Sequence, residues 1–297
     1  GLLDGSAELR LPGTRDGDVL GVMDIAAAQW RLDRLGVLTR VDLALAPGAD
    51  AAARWDAARR WGFDGVELRG AAGMAARLPE LRVARRAGLV ASSICPDAGP
   101  FIGAFDAEER ATARAALSEL LDVASEVGAA GVITPAAYGL HSNRLPPFKA
   151  PRPPEEDRAV LLDALGALGA RAEALGVGIW LEPLNRYEDH MVNTLAQGAA
   201  LCRAAGSPAV RPMADLFHMN IEEADLAASL RAAGPLLAHL HLADSSRLEP
   251  GTGHTDFAAA LAALPGFAGW GAIECRLSAP PEEALPRALA HIRAAGG

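Results

Sequence analysis

The chain has 297 residues, 51% of them hydrophobic and 22% charged, which suits one large packed core the size of a closed (β/α)8 barrel and excludes a disordered chain. Its formal charge of −9 repels phosphate backbones and anionic lipid headgroups, so neither nucleic acid nor a membrane is an expected partner. Lys149 is the only lysine and lies in a Pro-rich stretch, which argues against Schiff-base chemistry, since that needs a lysine desolvated in a pocket.

Residues 1–36 stand outside the repeating pattern as an N-terminal extension with one helical stretch at 25–35; residues 37–297 form the expected catalytic domain. Eight short apolar runs follow, at residues 39–45, 64–68, 88–92, 130–134, 178–182, 210–215, 238–243 and 271–275. They alternate with segments of helical period at 51–61, 107–127, 155–175, 195–205, 225–233 and 258–264. Gly62, Gly128, Gly176 and Gly206 stand where four of those helices should stop. No GxGxxG follows the first strand, so the α/β class resolves to a single closed (β/α)8 TIM barrel rather than an open doubly wound sheet. The Pro-rich residues 146–154 read as a stiff excursion over the barrel, a lid or an oligomer contact, and a homo-oligomer is expected. Cys95, Cys202 and Cys275 are far apart and in no CxxC pair, and no apolar run reaches membrane-spanning length, so a reducing, cytoplasmic setting is expected.

In such a barrel the active site lies where the strands end. Along the fifth run, alternation sends Ile179 and Leu181 out to the helices and Trp180 and Glu182 into the barrel; Pro183 then stops the ladder and leaves Glu182 at the mouth. The same logic turns Glu274 of the eighth run inward, and His239 and His241 of the seventh, with His241 nearer the top. The sixth run ends in Asp215. Glu182, Asp215, His241 and Glu274 should therefore meet at one mouth. Three carboxylates buried together would force protonation unless a cation joins them, and three oxygens with one imidazole suit Mn²⁺, Co²⁺ or Mg²⁺, with Zn²⁺ also admissible. Among the other inward or loop residues, Glu67 reads as a barrel carboxylate paired with an interior arginine such as Arg211. His239 reads as a packing or supporting histidine below His241. His254 and Tyr138 read equally as mouth lining or as solvent-facing and packing residues, and His141, His190 and His291 as exposed.

The strings Leu181-Glu182-Pro183-Leu184-Asn185-Arg186-Tyr187-Glu188, Asp215-Leu216-Phe217-His218-Met219-Asn220-Ile221-Glu222-Glu223, His239-Leu240-His241-Leu242-Ala243-Asp244-Ser245-Ser246-Arg247 with Pro250-Gly251-Thr252-Gly253-His254, and Ile273-Glu274 resemble the xylose-isomerase-like barrel enzymes. That family includes sugar isomerases, ketose 3-epimerases and endonuclease IV, and the likeness is closest to the D-tagatose 3-epimerase group. It spans residues 39–295, with every specific motif after residue 180. The resemblance implies that Glu182, Asp215, His241 and Glu274 hold one divalent metal, Mn²⁺ by preference, and that Glu182 and Glu274 are also the acid/base pair. It implies that Glu188, His218 and Arg247 contact the carbonyl end of a sugar. The implied activity is an isomerase reaction, C3 epimerisation of a free ketose through a metal-stabilised enediolate; the motif-bearing loops offer Arg247 but no lysine and no Gly-rich phosphate cradle after a strand, so an unphosphorylated substrate is expected. Hydroxypyruvate isomerase and an inosose or dehydroshikimate dehydratase share the metal set and remain alternatives, as does a non-catalytic sugar binder. An endonuclease IV-like repair enzyme needs histidine ligands from early strands, and no histidine precedes His141.

Overall fold

In the computed structural model, residues 20–22, 43–45, 51–97, 99–139 and 150–296 are described. The helical stretch expected at 25–35, His141, Lys149 and the start of the Pro-rich excursion lie outside them.

Short, largely apolar runs, several of them closed by a proline, a polar residue or a glycine, make strands whose outer faces are covered by helices. In chain order the elements are β1 (Leu20–Val22), β2 (Leu43–Leu45), α1 (Ala51–Arg60), β3 (Val66–Gly70), α2 (Leu78–Arg86), β4 (Ala91–Pro96), α3 (Ala107–Val127), β5 (Gly131–Pro135), α4 (Pro154–Leu175), β6 (Gly178–Glu182) and α5 (Leu195–Ala205). There follow β7 (Val210–Pro212), β8 (Ala214–Asp215), α6 (Leu216–Glu222), α7 (Leu226–Ala233), β9 (His239–His241), α8 (Phe257–Ala262), β10 (Trp270–Ala272) and α9 (Pro281–Gly296). Gly62, Gly128, Gly176 and Gly206 all take the left-handed conformation that ends a helix.

Strands β3 to β7 run parallel in sequence order, as do β8 to β10. The run at 210–215 is one strand that breaks at Met213: its N–H donates to the Leu181 carbonyl (3.0 Å), while Ala238 N–H donates to Pro212 O (3.0 Å), which carries the ladder across the break. Closure is visible in the interior. Glu67 of β3 meets His239 and His241 of β9 at 3.2 and 3.3 Å, a contact between strands far apart in sheet order that only a curled sheet permits.

The expected alternation holds. Ile179, Leu181, Leu240 and Leu242 belong to the layer between strands and helices, whereas Trp180, Ile133, Met213 and Ala238 form a separate cluster inside the barrel. Gly131 makes room for that cluster, because a Cβ there would come within 2.5 Å of the Trp180 indole. Two boundaries differ from the sequence reading. The eighth run forms strand only to Ala272, so Glu274 sits just beyond β10. Leu43–Leu45, which packs beside β3, is paired antiparallel with Leu20–Val22, so part of the presumed extension contributes a strand. No helix among the described residues is long and apolar enough to cross a membrane.

Candidate metal centre and active site

Four strand ends deliver the expected residues to one place. One ligand atom each from Glu182, Asp215, His241 and Glu274 lies within 4.8 Å of the others. His241 Nδ1 is 3.1 Å from Glu182 Oε1 and 3.9 Å from both Asp215 Oδ2 and Glu274 Oε2. Asp215 and His241 are fully buried and Glu182 nearly so, while the Glu274 side chain is about a quarter exposed toward the mouth. Asp215 has two duties because β8 runs straight into α6. Its Oδ1 accepts the Phe217 N–H (2.7 Å) as the helix cap, which leaves Oδ2 for the cluster.

Charge in this cluster is balanced from within. Burial alone would raise the Asp215 carboxyl, but Arg247 above all, with His241, outweighs it and holds the group below the usual carboxylate range. Burial likewise opposes charge on His241, yet Glu67 and Glu182 prevail and lift the imidazole to about 10. Three carboxylate oxygens and one imidazole nitrogen converging at this range could hold a metal ion.

The residues expected at the carbonyl end of a sugar adjoin the cluster. His218, in the first turn of α6, accepts the Asn185 backbone N–H at Nδ1 (3.2 Å), while its Nε2 lies 3.1 Å from Arg247 Nη1, 3.5 Å from Asp215 Oδ2 and 3.9 Å from Glu188 Oε2. Burial pushes His218 down to about 3, so it is neutral at ordinary pH. Burial also raises the Glu188 carboxyl. Arg247 donates from Nη1 to Asp215 Oδ2 (2.8 Å) and from Nη2 to Glu274 Oε2, with its guanidinium 4.7 Å over the Phe217 ring.

A residue that sequence reasoning passed over places Arg247. Asp244 accepts the backbone N–H groups of Ser245, Gly251, Thr252 and Thr255 at 2.8 to 3.1 Å, folding the 244–255 loop around one carboxylate. Within it Arg247 adopts φ +58°, left-handed for a side chain other than glycine. The available signal was an Asp heading a Gly/Thr-rich loop.

Other expectations divide. Glu67 does point inward, but its partners are His239, His241 and Ser93, whose Oγ donates to it at 2.6 Å. Arg211 instead donates to the carbonyls of Leu236 and Leu237 (2.9 and 2.7 Å). His239 packs as expected, stacked on Trp180 with ring centroids 5.1 Å apart. His190, expected in solvent, is instead largely enclosed between Phe105, Asp157 and Asp189, because the loop after β6 folds back onto the N-terminus of α4. His291 is exposed, and His254 lies in the outer loop with Nδ1 3.0 Å from Ser245 Oγ. Tyr138 is half exposed at the rim beside Phe101, and the next residue, Gly139, donates to the Glu188 carbonyl (2.8 Å). Arg152, at the end of the Pro-rich excursion, is anchored on Asp157 (2.7 Å) and on the carbonyls of Gly103 and Ala104.

The model of the xylose isomerase-like TIM barrel family matches residues 55–295. The 3-dehydro-D-guloside 4-epimerase of Escherichia coli strain K12 is 36% identical over 239 residues, covering 79% of this chain and 91% of that protein. The D-psicose 3-epimerase of Agrobacterium fabrum is 39% identical over 114 residues, covering 38% of this chain and 39% of its own. Among solved structures, the apo form of the 3-keto-D-glucoside 4-epimerase from E. coli superposes with a TM-score of 0.79 at 33% identity, over 84% of this chain and 97% of that one.

Proposed function

The chain belongs to the xylose isomerase-like TIM barrel family, and from that premise we propose that it is a divalent-metal-dependent sugar epimerase that inverts the carbon next to a ketone. The observation that carries this reading is the placement of two carboxylates, Glu182 and Glu274, from separate strand ends around the same cation-type cluster. The names of the relatives support it chemically. A psicose 3-epimerase works beside a C2 ketone and a 3-dehydro-guloside 4-epimerase beside a C3 ketone, so both invert a C–H that a neighbouring carbonyl acidifies.

A bound divalent cation, held by Glu182, Asp215, His241 and Glu274, would supply Lewis-acid polarisation of the ketone. The chain's own residues do the rest. One of Glu182 and Glu274 removes the α proton, and the other returns a proton to the opposite face, which is what inversion demands. Neutral His218 and cationic Arg247 hold the oxygen on which charge develops, and Glu188 orients a hydroxyl. C3 inversion of a free ketose is the reading that the sequence motifs favour. The 4-epimerase relative, which matches most of the chain, adds C4 inversion of a 3-keto-glycoside as a second reading by the same residues. An unphosphorylated substrate fits, because Arg69 is engaged by Asp97 (2.6 Å) and Arg152 by Asp157. We favour Mn²⁺ for the donor set, and a reducing cytoplasm for three free cysteines.

Turnover of a ketose and a 3-keto-glycoside panel in D₂O tests this. Deuterium should appear at the inverted carbon, C3 for a ketose and C4 for a 3-keto-glycoside. Glu182→Gln and Glu274→Gln should each lose roughly 10²-fold or more in kcat with metal content measured alongside. Deuterium at C1 with aldose formation would replace the reading with an isomerase, loss of water from a cyclic ketone with a dehydratase, and no exchange into any bound sugar with a passive binder.

A further inference from the structure

Glu67 is a fully buried carboxylate on the inner face of β3, opposite the wall that carries His239 and His241. Such a group is a costly thing to keep in a core, where an apolar residue of similar volume packs at least as well, so its retention calls for a job. Its neighbours suggest which. Ser93 Oγ donates to it at 2.6 Å, and its two oxygens face the Nε2 atoms of both histidines at 3.2 and 3.3 Å.

The two nitrogens of His241 look in opposite directions. Nε2 faces Glu67, and Nδ1 faces Glu182, Asp215 and Glu274. A hydrogen on Nε2 donated to Glu67, whose Oε2 lies 3.5 Å away, leaves the Nδ1 lone pair aimed at the cation cluster. The ring has little freedom to turn away, because it meets His239 edge-on with centroids 5.2 Å apart, and His239 is itself stacked on Trp180 and in contact with Glu67.

We propose that Glu67, braced by Ser93 and His239, is a positioning residue that fixes the tautomer and orientation of His241 so that Nδ1 is presented to the metal. The inference rests on the metal-centre reading above. Its chemistry is that of an acceptor on the far side of a metal-binding imidazole, which both orients the ring and makes it a better donor; a divalent ion also feels the added negative charge directly.

The test is Mn²⁺ titration of the chelator-stripped full chain, with free Mn²⁺ followed by electron paramagnetic resonance and no sugar present, so the result does not depend on the epimerase reading. Glu67→Gln, nearly isosteric, and Glu67→Ala should weaken the Mn²⁺ Kd roughly 10- to 100-fold, and Ser93→Ala should weaken it less, in the same direction. Leu81→Ala serves as the control for lost stability alone: Leu81 is buried in α2 within the helix layer, and its truncation should lower Tm with an unchanged Kd. A Glu67→Gln Kd within about threefold of wild type would overturn the proposal, as would an equal loss in Leu81→Ala. Proton and nitrogen NMR of His241 in the zinc-loaded protein gives a second readout: a downfield, slowly exchanging Nε2–H in wild type that moves upfield and exchanges faster in Glu67→Ala supports the proposal, and the same shift and exchange rate in both overturns it.

Discussion

Replacing Arg247 with alanine should destabilise the chelator-treated protein by an amount that the local geometry sets. The guanidinium bridges Asp215, which is fully buried, and Glu274, which is about a quarter exposed, while Arg247 itself is 26% exposed. Removing one partner of a fully buried pair costs about 3–5 kcal/mol, and water that reaches the mouth here reduces that to about 2–3 kcal/mol. At about 2.1 cal/mol/K of unfolding entropy per residue, a chain of this size shifts by roughly 1.5 °C for each kcal/mol, so the midpoint should fall by roughly 3–5 °C. Backbone strain works the other way. At φ +58° an alanine keeps the left-handed penalty and a glycine sheds about 1 kcal/mol of it, so Arg247→Gly should melt roughly 1.5 °C above Arg247→Ala. Scanning calorimetry at pH 7 on wild type and both variants, each with chelator and then with Mn²⁺, reads all the terms, and Mn²⁺ should raise the variants more than wild type because it supplies the missing positive charge. An Arg247→Ala midpoint within about 1 °C of wild type, or an Arg247→Gly midpoint no higher than that of Arg247→Ala, would refute the reasoning.

Two further outcomes concern the histidines and the interior packing. Burial holds His218 down to about 3, so between that pH and about 6.5 the unfolded chain binds more protons and stability falls as pH drops; Glu67 and Glu182 overcome burial and raise His241 to about 10, so stability is also lost as pH climbs from about 6.5. Tm of the chelator-treated protein should therefore peak near pH 6.5, with the alkaline limb flattened by bound metal, and a flat profile from about pH 5 to 9 would contradict both assignments. Gly131→Ala should cost about 1–3 kcal/mol, because its Cβ would meet Trp180 Cε2 at 2.5 Å and Cζ2 at 2.6 Å. Denaturant unfolding of Gly131→Ala alone and with Trp180→Leu measures this, and a double variant that shows no relief relative to the two single ones would show that the indole is not the obstacle.

What could be read in the sequence, and what could not, separates along one physical line. Alternation with period two assigns a side chain to a face, and for Trp180, Glu182, His239 and His241 the face is the one expected, with the branched residues between them in the helix layer. The metal-type cluster was legible because three of its four members are marked by where their strands stop: Pro183 after Glu182, the start of α6 after Asp215, the loop after His241; Glu274 lies two residues past the end of β10. Position along the barrel axis is a different quantity, and no local pattern encodes it. Arg211 and Glu67 were both assigned inward, and their pairing failed on height: Arg211 is in register with Trp180, a layer below Glu182, and reaches back to the carbonyls that precede β9. Glu67 lies close enough to the mouth to meet His241 from across the barrel. That contact joins residues 174 positions apart on strands that never share a ladder, so it depends on strand stagger and closure, which are set by all eight positions together rather than by any one run. The loops follow the same rule. Arg247 and His190 are placed by Asp244 and by the fold-back of the loop after β6, through hydrogen bonds to backbone whose course is decided only once the barrel has formed.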